Sequence, residues 1–272
     1  MRTHMLRPYF ALFKQHMIAQ VQFRFAFWSK IMTNFFWGYV RAVIILTFFV
    51  HGTGSADIDL RQAIGIVWLS QIAMNLLPGF GMDFAVWEKI RSGSVSYELL
   101  RPIDIYAHWF SSALAVKIAP FLMALAPIAG GALLIPGELG LALPASLPNL
   151  LAFFITLCSG TLLSGSLICF GYAMMMDVRV GQRVSMFLMI MIQILSGAYL
   201  PLQLWPEWMQ GFLFWQPFAG AMDLPLRFYV GSAAISSLPV VLGIQLAWTA
   251  VITLTGRAWI NRNLTKLVIQ GG

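Results

Sequence analysis

The stretch PNLLAFFITLCSGTLLSGSLICFGYAMMM, residues 148–176, contains no charged side chain. It is longer than the roughly 20 apolar residues that an α-helix needs to cross the hydrocarbon core of a bilayer. The rest of the chain has the same character, since 59% of its 272 residues are hydrophobic and only 10% are charged. A soluble domain carries about 25% charged residues. The composition therefore predicts an all-α integral membrane protein, in which lipid surrounds most of the chain.

Six apolar runs, this one included, predict six transmembrane helices within a single transmembrane domain, residues 1–272. They lie near residues 28–50, 62–82, 106–135, 148–176, 184–201 and 238–257. The Lys and Arg residues at or beyond the ends of these spans fall on one side of the membrane, except Arg61 and Arg227. Because basic segments stay in the cytoplasm, both termini are predicted to be cytoplasmic.

The start of the chain predicts an amphipathic helix. Within residues 1–26, apolar side chains recur at spacings of three to four from Leu6 to Val21, whereas Arg7 falls on another side of the helix. Such a helix lies in the headgroup layer and turns its basic side toward anionic lipid.

Residues 196–231 predict re-entrant helices between the fifth and sixth spans. The segment is apolar and aromatic, but prolines divide it into pieces too short to cross a membrane: Pro201, Pro206, Pro217 and Pro225. Its tryptophans suit the membrane interface. Short helices that enter the outer leaflet and return are favoured, and an apolar loop on the membrane surface is the alternative.

Several kinds of chemistry are not indicated. The pair Gly-Lys of a phosphate-binding loop never occurs, and the four histidines are scattered, so neither nucleotide binding of that type nor a metal site is expected. Ser159 and Ser164 lack a histidine base on a later span. Gly160, Ser164 and Gly165 predict close helix packing instead. The net charge of +7 does not indicate nucleic-acid binding, because the basic residues lie between apolar runs.

The most charged segment between spans is VWEKIRSGSVSYELLRP, residues 86–102. It lies within residues 83–105, predicted to be a cytoplasmic segment between the second and third spans. Trp87, Ile90 and Val95 are placed on one side, and Glu88, Lys89 and Arg91 face water. Exposed aromatic and aliphatic residues are those that fill a groove on a partner. A solvated loop against the membrane is the alternative.

Polar residues inside the apolar runs are candidates for a substrate path. These candidates are Arg41, Gln71, Asn75, Gln193 and Ser196. Gln71 and Asn75 share one helix face because they are four residues apart. Hydrogen bonding between helices explains the four uncharged residues equally well. For Arg41 the equal alternative is a side chain that reaches the membrane interface, and this is the favoured interpretation of Lys117.

Three motifs carry a resemblance to a known family. They are IRSGSVSYELLRP at 90–102, LSGAYLPLQLWPEWMQ at 195–210 and PLRFYVG at 225–231. With the amphipathic start, they resemble the six-span permease subunits of type-2 ATP-binding-cassette (ABC) exporters over nearly the whole chain.

The resemblance implies a multi-pass protein of the bacterial inner membrane that is not itself an enzyme. It implies that two permease subunits, identical or different, pair around a central path. Cytoplasmic ATPase subunits, which bind ATP and Mg²⁺, grip a coupling helix on each permease subunit. On this chain the resemblance assigns ATPase coupling to Trp87, Glu88, Lys89, Ile90, Arg91, Val95, Tyr97 and Glu98, with Ile90 and Val95 entering a groove.

A secondary transporter and an intramembrane enzyme are the alternatives to an exporter. A secondary transporter driven by an ion gradient usually places titratable residues at mid-membrane, and no predicted span has an Asp or Glu at its centre. An intramembrane serine protease would need a histidine base, and no predicted span after the fourth contains a histidine.

Overall fold

A computed structural model of the chain describes residues 24–51, 58–78, 84–95, 104–177 and 181–265, with the isolated residues 11, 14, 15 and 18. All regular structure in these ranges is helical. The α-helices are α1 (Arg24–His51), α2 (Leu60–Ala73), α3 (Phe84–Ser92), α4 (Ile105–Leu133), α5 (Leu147–Met176), α6 (Gly181–Leu195), α7 (Glu207–Trp215), α8 (Pro217–Ala221), α9 (Asp223–Val230) and α10 (Leu238–Leu264). The predicted amphipathic helix at 1–26 lies almost wholly outside the described residues.

Side chains just ahead of three helices fix where those helices begin. Asp59 accepts a hydrogen bond from the Gln62 backbone N–H (2.7 Å) before α2, and Asp104 accepts one from Ala107 (2.8 Å) before α4. Ser146 does the same for α5. Each cap satisfies a backbone N–H that has no partner inside the helix.

Four stretches in the described residues are long and apolar enough to cross a membrane. They are Trp28–His51, Ile105–Leu133, Leu147–Met176 and Ile235–Leu264. They correspond to the first, third, fourth and sixth predicted spans. The described part of the chain is therefore all-helical and has the long apolar helices of a multi-pass membrane protein, and the six-span count stays a prediction.

The helices at the second and fifth predicted spans are shorter than the apolar runs suggested. α2 passes into a 3₁₀ turn at Met74–Leu76 instead of continuing to 82. α6 ends at Leu195, and Gly197 then adopts a left-handed backbone with φ of 81°, a conformation that favours glycine. Hydropathy missed this end because residues 196–201 are also apolar.

Helix α5 lies at the centre of the fold and packs against α4, α6, α8, α9 and α10. Its small residues permit close approach. A Cβ atom added to Gly160 would lie 2.7 Å from the Gly220 carbonyl oxygen, and one added to Gly165 would lie 2.9 Å from Leu114. The Ser164 hydroxyl donates to the Leu76 carbonyl. The prediction that these small residues serve helix packing is confirmed.

The segment 196–231 folds into the 3₁₀ turn Leu202–Leu204 and the short helices α7, α8 and α9, as its prolines predict. α9 is mostly buried and packs against α5 and α2. Trp208 and Trp215 on α7 are exposed. Their entry into the outer leaflet stays a prediction.

A second hydrophobic cluster is separate from the main core and holds α3 in place. It joins α3 and the residue Val95 to α4, α5 and α10. Its buried members are Val86, Val95, Ile105, Tyr106, Trp109, Ala113, Ile168, Cys169, Tyr172, Ala173 and Ile260. We call it the α3 cluster. Within it, Trp109 and Tyr172 meet edge to face with ring centroids 5.9 Å apart.

Candidate functional site

One face of α1 presents a stripe of polar and aromatic side chains. Lys30, Asn34, Trp37 and Arg41 follow one another at intervals of four, three and four residues. That spacing places them on a single helix face. The stripe extends about 16 Å along the helix at 1.5 Å per residue. All four residues line the same cavity.

This cavity has a volume of about 820 Å³ and lies between α1, α2, α4 and the end of α6. We call it the α1 cavity. Its lining comprises Lys30, Asn34, Trp37, Arg41, Gln71, Met74, Asn75, Leu77, Val116, Lys117, Pro120, Gln193 and Tyr199. The volume falls in the range of small-molecule sites, about 300–1,000 Å³.

Among the residues that the structure describes, the lining of the α1 cavity carries charge of one sign. Lys30, Arg41 and Lys117 line it, and no Asp or Glu is found among the described lining residues. Four amide side chains and two aromatic rings, those of Trp37 and Tyr199, add hydrogen-bonding and apolar surface. Such a cavity favours negative charge, because cations at a low-dielectric site attract anions more strongly than they do in water.

Arg41 connects three parts of the fold. One guanidinium nitrogen donates to the Tyr199 carbonyl (2.7 Å) after α6, and the other donates to the Ser70 hydroxyl (3.3 Å) on α2. Its Nε is buried and has no hydrogen-bond partner among the described residues. Arg41 therefore ties α1 to α2 and to the residues after α6 at the wall of the cavity.

The amide side chain of Gln193 forms another part of the cavity wall. Its amide nitrogen donates to the Pro78 carbonyl (2.7 Å), which fixes the side chain. Its Oε1 has no partner among the described residues although only 5% of the residue surface is exposed. A buried acceptor without a partner is costly, and this oxygen lies within the packed wall rather than at the surface of the cavity.

The structure brings together four of the five residues that the sequence proposed for a substrate path: Arg41, Gln71, Asn75 and Gln193. Ser196 does not join them. It is fully buried, and its hydroxyl donates to the Gln193 carbonyl (3.3 Å). Ser196 is therefore not part of the α1 cavity lining, and its place on a substrate path stays a prediction.

Several residues that line the α1 cavity were not predicted from the sequence. Lys30, Asn34 and Trp37 could have been found from their helical spacing with Arg41. Lys117 was recognised as a charge within an apolar run but was interpreted as reaching the interface, whereas it lines the α1 cavity. Tyr199 gave no signal, because its position depends on where α6 ends.

The predicted coupling segment forms α3, which ends at Ser92. The break falls where it was predicted, since Gly93 is left-handed and the Ser92 hydroxyl donates to the Glu88 carbonyl (2.7 Å). Glu88 is exposed, and Lys89 and Ile90 are half-buried. Trp87 and Arg91 belong to the helix, but their side chains are not described. Tyr97 and Glu98 lie outside the described residues.

Val95 does not face a partner protein as the sequence predicted. Its side chain is 1% exposed and lies in the α3 cluster with Trp109 and Tyr172. It is enclosed by its own chain, so it does not enter a groove on another protein. Its position instead anchors the end of α3 to the membrane helices.

A comparison with known protein families covers both the α1 cavity and helix α3. A family model described as "ABC-2 family transporter protein" matches residues 22–271, which include α3 and every residue that lines the α1 cavity. No curated protein and no solved structure matches the chain significantly.

Proposed function

The chain belongs to the ABC-2 family of transporter proteins and is a permease of an ABC transporter, and we propose that it exports a substrate at the expense of ATP. In this proposal a separate ATPase subunit binds ATP and Mg²⁺ and hydrolyses the nucleotide. The permease receives the resulting motion and alternates access to a path between its helices.

The observation that supports the proposal best is the attachment of α3. Glu88 and Lys89 give this short helix polar surface, and Val86 and Val95 fix it to the α3 cluster. Packed protein interiors deform little and transmit displacement. A push on α3 from an ATPase would therefore move α4, α5 and α10 together.

The α1 cavity is the proposed substrate path. Arg41, Gln71, Asn75 and Gln193 would contact the substrate. Trp37 and Tyr199 are exposed at the margin of the cavity, and a second permease subunit, identical or different, would close it there. The proposal places both termini in the cytoplasm and the protein in a bacterial inner membrane.

A carrier driven by an ion gradient is less well supported. The fully buried carboxylate of Asp223 forms an ion pair with Arg227, 2.5 Å away, on α9. It does not belong to the lining of the α1 cavity. A proton- or sodium-coupled mechanism would need a titratable carboxylate on the path.

Co-purification tests the proposal. The chain is expressed together with a candidate ABC ATPase subunit, extracted in mild detergent and reconstituted in nanodiscs. We expect the ATPase to remain bound, and we expect ATP hydrolysis to exceed that of the ATPase alone. Loss of the ATPase on extraction, together with transport that persists without ATP and stops with an ionophore, would establish the gradient-driven alternative.

A further inference from the structure

We propose that the α1 cavity binds an anionic amphiphile, a molecule with a negatively charged head and a hydrocarbon or aromatic part. The inference rests on the proposed function, because it names the class of substrate for the same cavity. The charge of the lining, its amide side chains and its apolar surface each support it.

The charge of the lining selects the head group. Lys30, Arg41 and Lys117 come from two helices, α1 and α4, and line one space. The described lining holds no carboxylate, so an anion that enters meets positive side chains and no negative one among these residues. A cationic substrate would instead be repelled by these side chains. Drugs with quaternary ammonium groups are therefore disfavoured, although Trp37 and Tyr199 offer aromatic faces.

Amide side chains in the lining add polar contacts for the head. Asn34, Gln71 and Asn75 line the cavity beside the three cations. Amide N–H groups donate hydrogen bonds to phosphate or sulfate oxygens, and charge-assisted bonds from arginine or lysine are the stronger kind.

The apolar residues of the lining favour a ligand with a hydrocarbon part. Met74, Leu77, Val116 and Pro120 supply apolar surface, and Trp37 borders the cavity on its exposed side. Burial of hydrocarbon contributes about 25 cal/mol for each Å² removed from water. An inorganic anion would gain nothing from this surface, whereas an amphiphile uses both kinds of lining.

The test measures binding by the reconstituted chain without an ATPase, so that its result is independent of ATP-driven transport. The chain is placed in phosphatidylcholine nanodiscs and titrated with octyl phosphate, octyltrimethylammonium or inorganic phosphate, with empty nanodiscs subtracted. We expect octyl phosphate to bind at least tenfold more tightly than the other two, and we expect its affinity to fall as salt is raised. Equal affinity for the cationic amphiphile, or for inorganic phosphate, would overturn the proposal.

Matched variants locate the binding. Lys117→Gln and Lys30→Gln are each expected to weaken octyl phosphate binding about tenfold, a change equivalent to about 1.4 kcal/mol. Arg41→Lys, which keeps the charge, should weaken it less than Arg41→Gln. Arg61→Gln removes an exposed cation outside the cavity and should leave binding unchanged. Unchanged binding in both lysine variants would overturn the proposal even if Arg41→Gln does not fold.

A competing lipid shows whether the amphiphile comes from the membrane or from solution. Nanodiscs that contain phosphatidylglycerol present an anionic head at the exposed side of the cavity. If that lipid displaces octyl phosphate, the ligand is a membrane lipid. If octyl phosphate binding persists unchanged in phosphatidylglycerol, the ligand is a soluble anionic amphiphile. Each result supports the proposed class.

Discussion

Replacing Arg227 with glutamine is expected to destabilise the protein far more than the same replacement at Arg257. Both arginines form an ion pair with a carboxylate, and the nitrogen–oxygen distance is 2.5 Å in each pair. The pairs differ in burial. The Arg227 and Asp223 side chains are 13% and 0% exposed, whereas those of Arg257 and Asp104 are 53% and 41% exposed.

The expected loss of stability follows from this difference in burial. The other oxygen of the Asp223 carboxylate accepts a hydrogen bond from the Leu202 backbone N–H at 3.1 Å. A Cβ on Gly197 would lie 2.9 Å from the carboxylate, so the site is closely packed. Removing Arg227 leaves a buried, uncompensated charge, which costs about 3–5 kcal/mol. Removing Arg257 breaks an exposed pair, which is worth about 0–1 kcal/mol.

The assay is thermal unfolding of both variants in the same detergent, followed by intrinsic fluorescence. At roughly 2–4 °C for each kcal/mol, Arg227→Gln should lower the apparent melting temperature by about 10 °C, and Arg257→Gln by less than about 4 °C. Arg227→Lys, which keeps the charge, should recover part of the loss. Equal melting temperatures for the two glutamine variants would refute the argument from burial.

Two further predictions concern packing. Gly160→Ala should destabilise the fold by about 1–3 kcal/mol, because the new methyl group would meet the Gly220 carbonyl at 2.7 Å. Gly243→Ala, which meets nothing within 4 Å, is the matched control for thermal unfolding, and equal losses would contradict the proposed close approach. Val95→Ala should cost about 2 kcal/mol from lost burial, and an unchanged melting temperature would argue against its role as an anchor.

The sequence predicted those elements of the fold whose causes are local. The long spans follow from runs of apolar residues, and the short helices after α6 follow from prolines such as Pro206 and Pro217. The end of α3 follows from Gly93, whose backbone is left-handed. The end of α6 was missed, because its cause is the conformation of Gly197 within a run that remains apolar.

The candidate site was predicted only in part, for a related reason. Arg41 and Gln193 stood out because each is polar within an apolar run. Their meeting in one cavity depends on how α1, α2 and α6 pack, which no local pattern specifies. The burial of Val95 depends likewise on Trp109 and Tyr172, which lie on helices α4 and α5.

The central claim is that energy from ATP enters this permease through α3. The most direct test replaces Glu88, Lys89 and Arg91 with alanine in the reconstituted complex and measures permease-stimulated ATP hydrolysis. We expect the stimulation to disappear while membrane insertion and melting temperature are retained. A control pair, Arg61→Ala with Glu138→Ala, removes exposed charges elsewhere and should keep full stimulation. Undiminished stimulation in the α3 variant would contradict the account.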